Sequence, residues 1–271
     1  MTRGEPRDDE VDPACRAYVA SGFGVTVLEV VGDRVEGYAL VHECTATDVA
    51  DAGDGSIAVA TPETVLVGDR DGFEPSGFGA AVAVGGDPLL AASPEGDVER
   101  LDEDGWETVG TVETTVHAID GDLVATADGV YQVRDTDLEY VGLEHVRDVS
   151  AVGSPLAATD TGLYELGPGW TKVEDGAFTL VTGDADSVEA GKLERGHAAT
   201  DDRLFVLADG EWGPWHIPVG APVVGIGYGE AVYAVSEDGT FITAMDGEWR
   251  TRSLGISGVT GLVVRPMEEN A

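Results

Sequence analysis

The stretch VATADGVYQV, residues 124–133, returns one repeat later as LAATDTGLYEL, residues 156–166. A phrase that recurs every ~20–50 residues marks a unit too small to bury a core alone, stable only when its copies stack on one another. The phrase is a small residue, then Ser or Thr, a short turn, and an apolar strand. It occurs seven times, anchored at Ala20-Ser21, Ala60-Thr61, Ala92-Ser93, Ala125-Thr126, Ala158-Thr159, Ala199-Thr200 and Val235-Ser236. Successive anchors lie 40, 32, 33, 33, 41 and 36 residues apart. Gly stands three positions after the hydroxyl residue at Gly24, Gly96, Gly129, Gly162 and Gly239, where a hairpin turn asks for positive φ.

After each turn comes a short run such as VTVLEV, VYQV, LYEL or TFITA, with the β-branched and aromatic content of strands. A second turn and strand follow, as in DEDGWETVG and DGEWRTRS, and another apolar strand precedes each anchor. Each unit therefore reads as four antiparallel strands, A to D, with almost no helical periodicity, the pattern of a propeller blade. In the first copy nothing apolar precedes Cys15 to serve as strand A, whereas GVTGLVV, Gly258 to Val264, has the A pattern and no B strand after it. The predicted fold is all-β: a seven-bladed β-propeller over residues 13–266, closed by the C-terminal strand completing the N-terminal blade. Residues 1–12 form a predicted acidic disordered tail, and 267–271 a C-terminal tail.

Phrases such as ATADGVY and ATDTGLY, followed by DGEW turns, resemble the Asp-box (BNR-like) repeat propellers. The whole chain is similar to an uncharacterised family of haloarchaeal β-propellers. Asp104-Gly105-Trp106, Asp209-Gly210-Glu211-Trp212 and Asp246-Gly247-Glu248-Trp249 keep only the Asp, Gly and Trp of the box. Sialidases, enzymes that carry such boxes, use a cluster of arginines with a Tyr and carboxylates, and that cluster has no recognisable place in this sequence. The repeated Trp106, Trp170, Trp212 and Trp249, with Phe73 in the second blade, read as packing residues between strands or blades.

Composition narrows the partners. The chain carries 52 acidic and 15 basic residues, a net charge of -37, and its only lysines are Lys172 and Lys192. Because the acids are spread between apolar segments, they belong to a folded surface. Nucleic acid is not an expected partner, since sequence-independent affinity comes from Lys and Arg neutralising phosphates; Arg250, Arg252 and Arg265 make at most a small basic spot. No run of eighteen apolar residues occurs, and MTRGEPRDDEVDP lacks the features of a signal peptide, so no membrane association and a cytoplasmic location are expected. Cys15 and Cys44 lack metal or redox spacing and read as free, buried thiols. His42 and Cys44 alone make no zinc site. No cofactor and no metal are expected.

In a propeller the A strands line the central channel, and the D-to-A and B-to-C loops share one face. His117, His145, Arg147, Asp148 and Asp48 are the candidate binding residues, placed around one funnel; catalytic residues are not identifiable. On the same face Glu63, Glu95, Asp128, Asp160, Asp201 and Glu237 form a ring of carboxylates that reads as solvated surface. GDADSVEAGKLERG, residues 183–196, begins like a calcium loop, but Glu189 stands where Gly belongs and Arg195 where the last Glu belongs. It reads as an insertion between strands A and B of the sixth blade. The leading expectation is a non-enzymatic scaffold whose loops meet another protein; the alternative is a channel-centred enzyme or small-ligand binder, a lyase, hydrolase or sensor. The charge adds a prediction. At ~1 M salt the Debye length is ~3 Å and self-repulsion largely vanishes. The resemblance to salt-adapted cytoplasmic proteins therefore predicts unfolding or loss of compactness on dialysis from molar KCl to dilute buffer, and an unchanged melting temperature would exclude it.

Overall fold

The computed structural model describes residues 14–53, 55–217 and 220–267, so the predicted tails lie outside the described residues except for Met267. Seven four-stranded antiparallel sheets form a ring. The fourth blade shows the common plan: A strand Val116–Asp120, B Leu123–Thr126, C Gly129–Arg134 and D Asp137–Gly142. Each blade's A strand lies against the A strand of the next, all the way round. The predicted closure is present: Val259–Pro266 pairs antiparallel with Ala14–Ser21, placing Val264 opposite Ala17 and Leu262 opposite Val19. Gly24–Val31 and Arg34–His42 complete that first blade.

Local chemistry explains the repeat. Every residue of the B strands Ile57–Ala60, Leu90–Ala92, Leu123–Thr126, Leu156–Thr159, Gly196–Ala199 and Val232–Ser236 is buried. Adjacent blades cover both faces of these strands, so they read as continuous runs of small apolar residues without alternation. The anchor hydroxyl closes the B-to-C turn: Thr126 Oγ1 donates to Gly129 O (2.7 Å) and accepts the Gly129 N–H (3.0 Å), and Thr159 does the same with Gly162. Gly24 has φ +133°, and a Cβ there would stand 2.0 Å from the His42 carbonyl. At Gly162 the reason differs from the expected positive φ: the backbone is not left-handed, and close approach to Glu174 O, 2.8 Å from a Cβ, excludes a side chain.

The aromatic series joins blade to blade along the outside. Trp106 donates Nε1–H to Ser76 O (3.2 Å) of the preceding blade, and Trp170 donates to Val141 O (3.0 Å) of its predecessor. Trp249 lies 4.5 Å from Trp215, centroid to centroid. Both cysteines are free; Cys15 is buried as expected, but Cys44 is only half-buried. His42 packs on Phe73 of the second blade.

The inner strands leave no room. A Cβ on Gly225, in the seventh blade's A strand Val223–Tyr228, would meet Leu262 Cβ at 2.6 Å and Leu262 N at 2.8 Å. Gly225→Val should therefore push the last and first blades apart and lower stability by about 1–3 kcal/mol. Thermal unfolding in molar KCl measures this, and a variant melting with the wild type would show that the A strands can spread.

Candidate functional site

An A strand has a partner on one edge only, so its inner edge exposes backbone N–H and C=O groups that need partners. The candidates divide according to whether they meet that need. Asp48 and Asp148 occupy equivalent positions, opposite the anchor alanines Ala60 and Ala158. One oxygen of each accepts the next N–H of its own strand, from Val49 at 2.8 Å and Val149 at 2.9 Å. The other reaches the neighbouring blade, accepting from Val84 N (2.9 Å) or Val181 N (2.7 Å). Two residues along, Asp120 accepts the Ala151 N–H (2.7 Å) and Ser150 Oγ the Gly183 N–H (3.1 Å). One residue before, Thr47 Oγ1 donates to Ala81 O (3.1 Å) and His117 Nδ1 to Val146 O (2.6 Å), which fixes the proton of that imidazole on Nδ1. These side chains stitch the inner strands of the second, fourth and fifth blades to the strand that follows.

Asp48 and Asp148 touch the channel and so remain half-buried, but protein crowds their carboxyl groups on every side. Loss of solvation outweighs the two N–H bonds and pushes each pKa up to about 7; Asp120 and Asp48 add repulsion at Asp148. Asp120 is raised for the same reason.

Arg147 and His145 lie apart from the stitched groups, on the rim. Arg147 grips Asp160 as a fork, Nε to Oδ1 at 2.7 Å and Nη2 to Oδ2 at 3.2 Å, and these bonds hold the Asp160 carboxyl below its ordinary range. Electrostatic attraction from His145 and from the stitched His117 lowers it further, so Asp160 lies within reach of His145, Arg147 and His117. The loop leading there is strained: Leu143 has φ +66° and His145 φ +55°, left-handed values that side chains other than Gly seldom adopt. Tyr140 O–H donates to Leu143 O (2.7 Å), and His145 N–H donates to Ala127 O (3.0 Å), holding the loop in place. The result is a cleft between the fourth and fifth blades, lined by Tyr140, Leu143, Glu144, His145, Thr161 and Tyr164. Tyr140 is 52% exposed, with Tyr131 edge-on at 5.4 Å, and the Lys172 ammonium lies 5.7 Å from the Tyr164 ring centre. The cleft offers ring faces, an imidazole and a charge pair on a rigid support, chemistry suited to stacking and hydrogen bonding.

Asp128 of the acidic ring shares the one Thr126 hydroxyl hydrogen with Gly129 O (Oγ1 to Oδ1 2.7 Å), and among the described residues no three His, Cys, Asp or Glu side chains are placed to hold a metal ion. The insertion falls where expected, between A strand Leu180–Gly183 and B strand Gly196–Ala199 of the sixth blade. Asp184 is buried and paired with Arg195, whose guanidinium lies 5.6 Å from the Tyr228 ring centre. His197, pushed down to about 3 by burial, stays neutral between Tyr228 and Trp215.

A ring of four-stranded blades with a Ser/Thr stitch in every B-to-C turn is a seven-bladed β-propeller. Within that class, the chain belongs to the Beta-prop_HVO_0234-like family of beta propellers, whose pattern it matches over residues 9–265. No curated protein matches it in sequence. Among solved structures it is similar to the WD40 beta propeller domain of Doa1, at 13% identity and TM-score 0.65, covering 84% of this chain and 94% of that one. It is also similar to YCF48 bound to D1 peptide, at 12% identity and TM-score 0.59, covering 83% and 94% of the two chains. The computationally designed Ika8 protein matches at 12% identity and TM-score 0.60, over 96% and 92%. At these identities the likeness concerns the fold. No helix among the described residues is long and apolar enough to cross a membrane.

The raised carboxyls make a pH prediction. Folded protein holds the Asp48 and Asp148 protons up to about pH 7, whereas the unfolded chain releases them near pH 4. Their contribution to stability is therefore complete below about pH 4 and declines as pH rises to about 7. Asp148→Asn should flatten this decline while lowering the melting temperature at pH 5, since an amide has one acceptor for two N–H donors. Melting curves at constant KCl test both effects, and a variant with the wild-type slope would exclude Asp148 as a titrating group.

Proposed function

We propose that the protein is an interaction scaffold that presents the cleft between its fourth and fifth blades to another protein in a salt-rich cytoplasm. One observation carries the reading: a strained loop holds His145 beside Tyr140, Tyr164 and the Arg147–Asp160 pair on a rigid ring. Backbone strain persists only where surrounding structure maintains it, and it concentrates at binding sites. Tyr and Arg are, with Trp, enriched where protein interfaces concentrate their binding energy. Asp48, Asp148 and His117, by contrast, engage the backbone of the next blade, which favours the rim over the channel as the place of recognition. YCF48, a propeller of similar fold, carries a bound D1 peptide, which accords with peptide recognition as a use of this architecture. The dispersed acidic surface supports the salt-rich setting.

The test is purification of the tagged protein from a salt-in host in molar KCl, with quantitative mass spectrometry of what accompanies it. A stoichiometric partner should be retained by the wild type and fall at least about tenfold with the His145→Asn/Tyr164→Ala pair, in which Asn keeps the left-handed backbone accessible. A solitary monomer, or a partner retained by that folded variant, would overturn the proposal.

A further inference from the structure

The outer strand of the first blade is unlike the others. Arg34–His42 has nine residues, against four to seven in the other six blades, and its outer edge has no partner strand. Elsewhere these outer strands are broken by proline, as at Pro75 and Pro214, or carry acids on exposed positions, as at Glu107, Glu139 and Asp175; in the first blade Glu36 is the one such acid. Such devices keep an open edge from recruiting another chain. Here Tyr38, Ala39 and Leu40 are exposed in succession, Tyr38 by 42% and Leu40 by 47%. Register shifts at Glu36 and Val41 flank this stretch and confine the regular open edge to Gly37 to Leu40, the part that carries no charge.

Next to this edge runs a groove, between the outer strands of the first and seventh blades, lined by Arg34, Arg250 and Arg252, by the acids Asp33 and Glu36, and by Phe241 among others. Three of the chain's 15 basic residues thus share one groove, in a molecule with 52 acids. Asp33 pairs with Arg250 and, at 3.9 Å, with Arg34, so the three arginines exceed the two acids of the groove by one. Arg252 has no carboxylate within ion-pair distance among the described residues; its guanidinium instead lies 5.4 Å from the Tyr38 ring centre. Of the three arginines singled out in the sequence, Arg250 and Arg252 belong to this groove, while Arg265 sits apart, 3.1 Å from Asp51.

We propose that this edge and groove bind an extended segment of a partner protein in which acidic and apolar residues alternate. The segment adds a strand along Gly37 to Leu40. Main-chain hydrogen bonds supply affinity, its apolar side chains cover Tyr38 and Leu40, and its carboxylates meet Arg34, Arg250 and Arg252. Charge decides the class of occupant, since any basic segment would find better sites over the rest of this surface. The site lies two to three blades around the ring from the cleft proposed above, and neither depends on the other.

The test titrates the full-length protein into a dye-labelled peptide alternating glutamate with valine, read by fluorescence anisotropy, beside a peptide with lysine in place of glutamate. The glutamate peptide should bind saturably, and both Arg250→Ser/Arg252→Ser and Tyr38→Ser/Leu40→Ser should weaken it by at least about tenfold. All four positions are exposed, so unchanged melting curves confirm that the variants fold. The lysine peptide should be indifferent to both pairs. Absence of saturable binding, or affinity unaltered by both pairs, would overturn the proposal. So would a tenfold gain on deleting residues 2–12, which would assign the groove to the chain's own acidic N-terminal residues.

Discussion

The pairing of Val259–Pro266 with Ala14–Ser21 joins the two ends of the described chain, and the arrangement of every blade follows from it. Without that strand, the first blade would expose a long apolar edge on the channel side, and the seventh would lack the neighbour against which Gly225 and Gly227 pack. Closure turns seven marginal sheets into one body in which each B strand is covered on both faces. It also forces the A strands so close together that glycine is needed at several of their crossings.

Crowding at the centre leads to the second feature, the stitching of inner edges by side chains. A strand at the edge of its sheet has no further strand with which to complete its hydrogen bonds. Asp48, Asp148, Asp120, Ser150, Thr47 and His117 meet this need from related positions in the second, fourth and fifth blades. A carboxylate held this way is structural, and its raised pKa follows from crowding. The perturbed acids at the inner strands therefore belong to the mechanics of the ring, and the proposed contact surfaces lie elsewhere, in the cleft and along an outer strand.

These two surfaces differ in kind. The cleft between the fourth and fifth blades offers aromatic faces and a preorganised loop, whereas the outer strand of the first blade offers an open edge with arginines beside it. A rigid ring can display both without one disturbing the other, as a scaffold requires.

The repeat phrase by itself determined the blade count, the strand plan within each blade and the closing role of residues 258–264. Each of these rests on local chemistry: a hydroxyl that closes a turn, a residue without Cβ where strands approach, and short apolar runs of strand length. Chain position assigned His145 to a loop and Arg147 to the start of an A strand, and on that ground grouped them with His117, Asp148 and Asp48 around one funnel. The equivalence of Asp48 and Asp148 was not visible, because they stand 13 and 11 residues before their anchor hydroxyls and only the folded register puts them opposite the same alanine. Nor could local pattern place Asp160 against Arg147, or Arg34 beside Arg250 and Arg252, residues more than two hundred positions apart in the chain that meet only because the ring closes. Tertiary structure alone decided which charges share a surface, since that depends on how blades abut and not on the strands they contain.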